Sequence, residues 1–352
     1  MNKDQYDIVI IGAGASGLMC ASLLNQTSLK ICVIDCNSKI GEKIKVSGGA
    51  KCNITNKYLE SSKFLAEQEF IKSCFKEFDN NDLLKFLASN NLHPHLKEKI
   101  VKGTYFCNSS SEVISLFKKL TNKIHFRLNT KVEDVNYCEN NFVIKTNNYN
   151  IRSKKLIVAS GGKSFPNLGA SGIGFKIAED FGHIIDRLDP ALVGFTVQKD
   201  QLWFKELSGL SLPVKIKVDN KEVVGDMLFT HKGCSGPAIL TTSLYWQKGK
   251  FYIDFLPNKN TYLPKRFKRA TKELDIDIRK YEMAPAGNYG YTKAEVTKGG
   301  VSTDEINVNT MESKLQKDLY FIGEVLDVTG ELGGYNFQWA FTSGYICAKY
   351  IL

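Results

Sequence analysis

Three glycines near the amino terminus have the spacing that lets a main chain approach a phosphate group. They are Gly12, Gly14 and Gly17, and in the pattern G-x-G-x-x-G each has a separate task. The first permits a tight turn, the second admits a pyrophosphate to the backbone, and the third lets a helix lie close to a strand. Ala15 and Ser16 complete the loop. Free amides and the positive end of the following helix would hold the phosphates there.

Such a loop needs a strand before it and a helix after it. Residues 7–11 form a short apolar, β-branched run, as expected of a central parallel strand. Residues 18–25 predict a buried helix, and residues 31–34 predict a second strand that ends at Asp35. A carboxylate about twenty residues past the glycines accepts hydrogen bonds from an adenosine ribose and disfavours a 2′-phosphate. The unit therefore predicts a dinucleotide other than NADP and leaves FAD and NAD as alternatives.

A second polar segment, residues 41–56, favours FAD. It is a long, glycine-bearing stretch directly after the second strand, and loops of this length inside a compact fold are usually functional. We predict a loop here whose polar groups contact a large, extended cofactor. The cofactor-binding residues predicted in this loop are Lys43, Ser47, Gly48, Gly49 and Asn53.

Two later segments place glycine turns directly after strands. The strands are predicted at residues 155–159 and 319–322, and a helix over residues 337–352 follows the second turn. A helix N-terminus aimed at the N1–C2=O edge of a flavin would stabilise its anionic reduced form. The cofactor-binding residues predicted at these turns are Ala159, Gly161, Gly323, Glu324, Gly334, Tyr335 and Asn336.

The middle of the chain is predicted to form a β-rich domain. Short strands separated by turn residues recur between residues 194 and 255. The simplest account is a β-domain over residues 190–298, inserted between the two parts of an α/β domain, 1–189 and 299–352. A short basic helix is expected near residues 263–275, because five cations are concentrated there. We interpret this run as a solvated face, which is the commoner role of such charge clusters.

Composition excludes several classes of protein. A chain of 352 residues with 43% hydrophobic and 24% charged residues is not typical of a disordered, fibrous or multi-span membrane protein. The uncharged stretch at residues 8–29 contains three glycines and follows acidic residues, so we expect neither a membrane span nor a signal peptide. Nine cysteines without a C-x-x-C pair favour a reducing, cytoplasmic location and no metal site. The formal charge of +10 permits nucleic acid, an anionic membrane or acidic small molecules as partners.

Several motifs together resemble one bacterial family, the NAD(P)/FAD-dependent oxidoreductases related to bile-acid-pathway reductases and aminoacetone-oxidase-like enzymes. The motifs are the glycine loop and residues 47–56, 229–231 with 235–237, 294–301, and 323–327 with 333–336. The resemblance implies a Rossmann-like FAD-binding domain of the two-dinucleotide-binding type, built from both chain ends, with an inserted β-barrel-like domain. The chain departs from the family between Pro237 and Ala294, where relatives carry a longer helical segment. The helical domain is therefore expected to be reduced here.

The resemblance implies a flavin-dependent oxidoreductase. We expect bound FAD to take hydride from NADH or NADPH, a transient reductant, and to reduce an unsaturated small-molecule substrate through flavin N5. Glu324 would contact the ribityl or pyrophosphate side of FAD. Candidate catalytic residues are His231, Tyr335 and Cys52, the last more naturally a packing or flavin contact. One alternative is a flavin amine oxidase that uses oxygen. Another is a flavin-dependent RNA-modifying or RNA-binding protein, which the positive charge and the basic helix favour.

Overall fold

The computed structural model describes residues 4–97, 101–258 and 261–352. The chain forms two compact units. The first consists of Met1–Asp189 with Thr297–Leu352, and the second of Pro190–Val296. Two short strands, Asp189–Ala191 and Val296–Lys298, lie where the chain passes from one unit to the other. None of the described helices is both long and apolar enough to span a lipid bilayer.

A parallel sheet forms the centre of the first unit. The middle strand, Gln5–Ile11, is buried from Ile8 to Ile11, as its apolar, β-branched sequence predicts for a sheet covered on both faces. The five central strands of this sheet run parallel to one another. The strands lie in the order His125–Arg127, Ile31–Ile34, Gln5–Ile11, Asn150–Val158 and Leu319–Phe321. Both ends of the chain therefore contribute to one sheet, which confirms the expected α/β, Rossmann-like class.

Smaller antiparallel elements extend this unit. The first part of Asn150–Val158 pairs with Asn141–Thr146, which pairs in turn with Val132–Cys138. Two small sheets lie apart from the main one. One contains three strands, Asn53–Asn56, Thr104–Phe106 and His95–Lys97. The other contains two, Phe64–Leu65 and Thr329–Gly330.

The helices of the first unit cover its sheet and complete its core. Helix Ala15–Leu24 follows the glycine loop and packs against the C-terminal helix Tyr335–Ile351. Helix Ile173–Asp180 follows Gly172 and buries Phe175, Ile177 and Ala178. Three helices have no counterpart in the sequence-based prediction, although Glu67 and Asp79 supply side-chain caps typical of helix starts. They are Gln68–Glu77, Asn80–Ser89 and Ser110–Leu120.

The segment at residues 41–56 is more ordered than the predicted loop. It contains the helix Glu42–Val46, a 3₁₀ turn over Ser47–Ala50 and the strand Asn53–Asn56. The prediction of one long loop was wrong because the segment contains two apolar anchors. Ile44 and Ile54 are both buried in the core, so this polar stretch is fixed at two points.

The second unit is a seven-stranded antiparallel sheet. Its two outermost strands are Tyr281–Met283 and Pro285–Asn288, which follow each other directly along the chain, so the sheet is nearly closed. This confirms the β-barrel-like expectation. The strands lie in the order Tyr281–Met283, Phe251–Asp254, Ser211–Val218, Lys221–Thr230, Gly233–Ser235, Phe195–Val197 and Pro285–Asn288.

Three helical segments accompany the sheet of the second unit. They are the 3₁₀ segment Lys199–Leu207 and the helices Pro237–Tyr245 and Lys265–Thr271. Neither of the first two was predicted. The third is the basic helix, shorter than the expected 263–275 because it begins after Pro264, which cannot donate an amide hydrogen bond.

Aromatic side chains form the core of the second unit. Phe229 is 1% exposed, and its ring centre lies 4.9 Å from that of Phe204 and 6.2 Å from those of Phe255 and Phe267. These rings come from different strands and helices, so Phe229 joins several elements at once.

We expect Phe229→Ala to lower the free energy of unfolding by about 3–5 kcal/mol, because it removes a ring from a packed core. Val224→Ala, on the same strand but 68% exposed, is the matched control and should cost less than about 1 kcal/mol. Urea unfolding followed by circular dichroism measures both changes. Equal losses in the two variants would contradict the assignment of Phe229 to the core.

Candidate cofactor site

The three glycines of the loop have different surroundings. A Cβ atom on Gly12 would lie 2.3 Å from the carbonyl oxygen of Ala159, and one on Gly17 would lie 2.0 Å from the carbonyl oxygen of Gly12. Both glycines are therefore needed for packing. A Cβ atom on Gly14 would meet no atom within 4 Å. The main chain at Gly14 thus faces open space at the N-terminus of helix Ala15–Leu24, which is the arrangement that a pyrophosphate requires.

The carboxylate of Asp35 fixes the shape of this loop. Its Oδ2 atom accepts a hydrogen bond from the amide of Ala13 at 2.7 Å, and its Oδ1 atom accepts one from the amide of Asn37 at 2.8 Å. The side chain of Asn37 also donates to Oδ1, at 3.0 Å. A carboxylate accepts about four hydrogen bonds, so the partly exposed Asp35 retains capacity for a ribose hydroxyl.

Glu324 brings several predicted site residues together. Its Oε2 atom lies 2.5 Å from the Nζ atom of Lys43, and its Oε1 atom accepts a hydrogen bond from the amide of Thr297 at 2.9 Å. Gly161 lies beside the same carboxylate, with the position of its missing Cβ atom 4.0 Å from Oε2. The structure thus unites Lys43, Gly161 and Glu324, which are far apart in sequence.

Thr297 is a site residue that the prediction did not include. Its Oγ1 atom accepts hydrogen bonds from the amides of Lys163 and Ser164, at 2.8 and 3.1 Å. It thereby holds the turn after strand Asn150–Val158 next to Glu324. The available signal was its place within the motif at residues 294–301.

Gly323 is held from two sides. Its amide donates to the hydroxyl of Ser343 at 2.9 Å, and its carbonyl accepts from the indole of Trp339 at 3.0 Å. A Cβ atom on Gly323 would lie 2.5 Å from the Oγ atom of Ser16. The predicted residues Ser16 and Gly323 are therefore neighbours, and the C-terminal helix fixes the position from which Glu324 projects.

The N-terminus of the C-terminal helix is fixed by the strand Asn53–Asn56. A Cβ atom on Gly334 would lie 2.5 Å from the carbonyl oxygen of Thr55, and the side chain of Asn56 donates to the carbonyl of Gly333 at 3.0 Å. Asn336 closes the preceding loop through hydrogen bonds with the amide and carbonyl of Gly330, both at 2.8 Å. No side chain caps this helix. Its positive end is therefore available to a negative group.

The turn at Ser47, Gly48 and Gly49 is partly exposed. The hydroxyl of Ser47 donates to the carbonyl of Ile44 at 2.7 Å, and both glycines have left-handed φ angles, +55° and +64°. A Cβ atom on Gly48 would lie 3.0 Å from the amide nitrogen of Asn53. The turn residues Ser47, Gly48 and Gly49 thus lie next to Asn53, the first residue of the following strand.

The three candidate catalytic residues lie in different environments. Cys52 is fully buried, and burial raises the pKa of its thiol to about 12. Tyr335 is 4% exposed, donates to the carbonyl of Tyr58 at 3.2 Å, and has a raised pKa because it is buried. His231 is exposed in the turn between strands Lys221–Thr230 and Gly233–Ser235 of the second unit. Their catalytic roles remain predictions.

Asp327 is a further ionisable group, which the prediction missed. Burial, together with the neighbouring carboxyl of Asp186, raises the pKa of its carboxyl to about 6. The amide of Gly299 opposes the shift by donating a hydrogen bond to the ionised form. Asp327 lies in the chain between Glu324 and Gly334, on the segment that links two parts of the site.

The fold and the glycine loop together define a dinucleotide-binding oxidoreductase of the Rossmann type. Within the described ranges, no cluster of His, Cys, Asp and Glu residues is arranged to hold a metal ion. The chain belongs to the family described as HI0933-like protein Rossmann domain, whose model matches residues 6–350. The expected class, a flavoprotein oxidoreductase with a Rossmann domain, is confirmed.

Two named relatives are similar over nearly the whole chain. A ribosomal RNA dihydrouridine synthase from Escherichia coli (strain K12) is 36% identical and aligns with 98% of each chain. A 3-dehydro-bile acid delta(4,6)-reductase from Clostridium scindens is 28% identical and aligns with 97% of this chain and 98% of its own. The first alignment covers 394 positions against 352 residues here, so that relative contains segments that this chain lacks.

A solved structure shares the fold. The 3-ketosteroid delta1-dehydrogenase from Sterolibacterium denitrificans matches with a TM-score of 0.55 at 12% identity, and the match covers 99% of each chain. At this level of identity the similarity supports the architecture alone.

We expect Gly14→Ala to fold normally and to bind FAD more weakly. The added methyl group meets no protein atom but occupies the open space in front of the loop, so the Kd for FAD should rise roughly tenfold or more. The control is Gly225→Ala, whose methyl group makes an ordinary contact at 3.6 Å. Titration of apoprotein with FAD gives both values, and an unchanged Kd for Gly14→Ala would argue against a pyrophosphate at this loop.

Asp327→Asn should stabilise the protein at neutral pH. Because the folded-state pKa of Asp327 is raised to about 6, the folded protein binds more protons than the unfolded chain between about pH 4 and 6, and stability falls as pH rises through this window. The neutral amide avoids that loss. The Tm difference from wild type should be positive at pH 7.5 and vanish near pH 4. The exposed Asp304→Asn is the control, and a Tm difference independent of pH would contradict the prediction.

Proposed function

We propose that this protein is an FAD-dependent reductase that saturates the C5=C6 bond of a uridine in ribosomal RNA, with NADH or NADPH as the electron source. The observation that carries the proposal is the whole-length similarity to the ribosomal RNA dihydrouridine synthase. This proposal gives the RNA-modifying alternative first place, ahead of a small-molecule reductase.

The residues of the first unit fit FAD. The pyrophosphate would lie on the loop from Gly12 to Gly17, in front of Gly14, and the adenosine ribose would lie on Asp35. The isoalloxazine would lie at the uncapped helix end that begins after Gly334. Glu324 would contact the ribityl chain, with its carboxylate held by Lys43 and the amide of Thr297. Each contact uses a group whose position the protein's own hydrogen bonds fix.

The chemistry of the two named relatives has a common pattern. In a uracil ring the C5=C6 bond is conjugated with the C4 carbonyl, and in a 3-dehydro-bile acid the 4,6 double bonds are conjugated with the 3-oxo group. Reduction adds a hydride to the carbon remote from the carbonyl and a proton to the carbon next to it. Bound reduced FAD would supply the hydride. The positive end of helix Tyr335–Ile351 would stabilise the negative charge of the reduced flavin.

The proton requires a donor in the protein. Cys52 and Tyr335 are buried with raised pKa values and hold their protons firmly. His231 is the exposed candidate, in the turn between strands Lys221–Thr230 and Gly233–Ser235. We therefore place His231 first among the three.

The test is dihydrouridine formation on unmodified ribosomal RNA transcribed in vitro. FAD-loaded protein, with NADH or NADPH under anaerobic conditions, should convert uridine to a nucleoside that is two hydrogens heavier, detected by mass spectrometry after digestion. Gly14→Ala, assayed without added FAD, is the inactive control. Parallel assays offer a 3-oxo-4,6-diene bile acid as substrate, and an amine with oxygen followed by peroxide detection.

The outcomes separate the alternatives. Dihydrouridine in the wild-type reaction supports the proposal. Reduction of the bile acid with no change in the RNA would refute it in favour of a small-molecule reductase. Peroxide formed from an amine without a nicotinamide would refute it in favour of an oxidase.

A further inference from the structure

The positive charge of the chain is concentrated in the second unit. Residues 190–296 contain 17 Lys and Arg against 11 Asp and Glu, a formal +6 out of the chain's +10. Several cations on the sheet are compensated, such as Lys215 by Glu222 and Lys250 by Glu282. The uncompensated charge therefore lies elsewhere in this unit.

Helix Lys265–Thr271, extended by Lys272, concentrates five of the unit's 17 cations in eight residues. Its five cations are exposed, and within the described parts of the chain none of them forms an ion pair with a carboxylate. They are Lys265, Arg266, Lys268, Arg269 and Lys272. Acidic residues resume only at Glu273, so every charged side chain of the helix is a cation.

This concentration of charge works against the helix itself. Lys265 lies three and four residues before Lys268 and Arg269, and such like-charged neighbours weaken a helix. Lys265 and Arg266 near the N-terminus also oppose the helix dipole, whereas Lys268 and Arg269 in the last turn are favoured by it. A sequence that served only to solvate this face would gain stability from alternating charges. The uniform charge is therefore better explained by a negatively charged partner.

The helix is nevertheless held firmly in place. Phe267 is fully buried, with its ring centre 5.0 Å from that of Phe255 and 6.2 Å from that of Phe229. The guanidinium of Arg266 also donates to the carbonyl of Glu206 at 2.9 Å. The cations thus lie on a helix that is anchored in the aromatic core of the unit.

An exposed aromatic ring lies beside the cations. Tyr262 is 68% exposed, and the Nζ atom of Lys268 lies 5.1 Å from the centre of its ring. Proteins that bind single-stranded nucleic acid combine cations, which contact phosphates, with aromatic rings, on which bases stack. Tyr262 and the helix provide both kinds of group at one place.

We propose that helix Lys265–Thr271, with Lys272 and Tyr262, is a docking surface for RNA, in which the cations contact the phosphate backbone and Tyr262 stacks on an unpaired base. The inference rests on the proposed function, because it names the part of the protein that holds the RNA substrate. It also replaces the interpretation of this basic run as a solvated face.

The experiment compares two variants of equal net charge. One replaces Lys265, Lys268, Arg269 and Lys272 with Gln. The control replaces four exposed lysines of the first unit, Lys76, Lys118, Lys119 and Lys123, with Gln. The binding of a fluorescein-labelled RNA hairpin with a uridine-rich loop is measured by anisotropy at several salt concentrations. Each lost phosphate contact lowers the slope of log Kd against log salt concentration by roughly 0.7–0.9.

We expect this slope to be lower by roughly 3 in the helix variant than in the wild type. The slope of the control variant should be unchanged. Tyr262→Ala should raise the Kd at least about fivefold, and Tyr262→Phe should retain wild-type affinity, because stacking needs only the ring. Equal slopes in the helix and control variants would overturn the proposal. Wild-type binding to phosphatidylglycerol vesicles but not to RNA would overturn it as well.

Two results distinguish this inference from the proposed function. If the helix variant forms dihydrouridine with an unchanged KM for ribosomal RNA, the docking surface is refuted while the proposed function stands. If the wild type forms no dihydrouridine but binds RNA through the helix, the proposed function fails and the docking surface stands. Flavin absorbance and circular dichroism verify that each variant is loaded and folded.

Discussion

The pairing of strand Leu319–Phe321 with Asn150–Val158 is the contact on which the candidate site depends. It places the last part of the chain in the same parallel sheet as the glycine loop. Gly323 and Glu324 follow this strand directly, so Glu324 reaches Lys43 and Thr297. Without this strand pair the first βαβ unit would remain a partial dinucleotide site. The carboxyl ends of parallel strands meet at one edge of a sheet, which is where ligands bind in such folds.

The glycines show how one residue type serves two purposes. Gly12 and Gly17 allow the main chain to contact itself and Ala159, at distances that exclude any side chain. Gly14 faces open space instead, with an extended backbone that other residues also adopt. Packing therefore explains the first pair and leaves Gly14 to be explained by a ligand. A glycine with an ordinary φ angle and open space in front of it is the more informative signal of a binding surface, because nothing in the protein itself requires it.

The charged groups of the cofactor site and those of the basic helix are arranged differently. The site contains balanced groups, such as the pair of Lys43 and Glu324, whereas the cations of helix Lys265–Thr271 have no carboxylate partner among the described residues. The two patterns fit the two roles proposed above, one within each unit. Fixed hydrogen bonds suit a cofactor that stays bound. Exposed cations on an anchored helix suit a large, negatively charged substrate that must associate and leave.

The sequence by itself determined the parts of this protein that are local. The spacing of Gly12, Gly14 and Gly17, the buried strand before them and Asp35 after them predict a βαβ unit, because its geometry depends on neighbours within about thirty residues. Tertiary structure alone decided the rest. It brought the amide of Thr297 within hydrogen-bond distance of Glu324 and placed the carboxyl of Asp186 beside that of Asp327. It also buried Ile44 and Ile54, so that a predicted loop became a helix and a strand. These contacts join residues far apart in the chain, and such pairings depend on how strands and helices pack rather than on any local pattern.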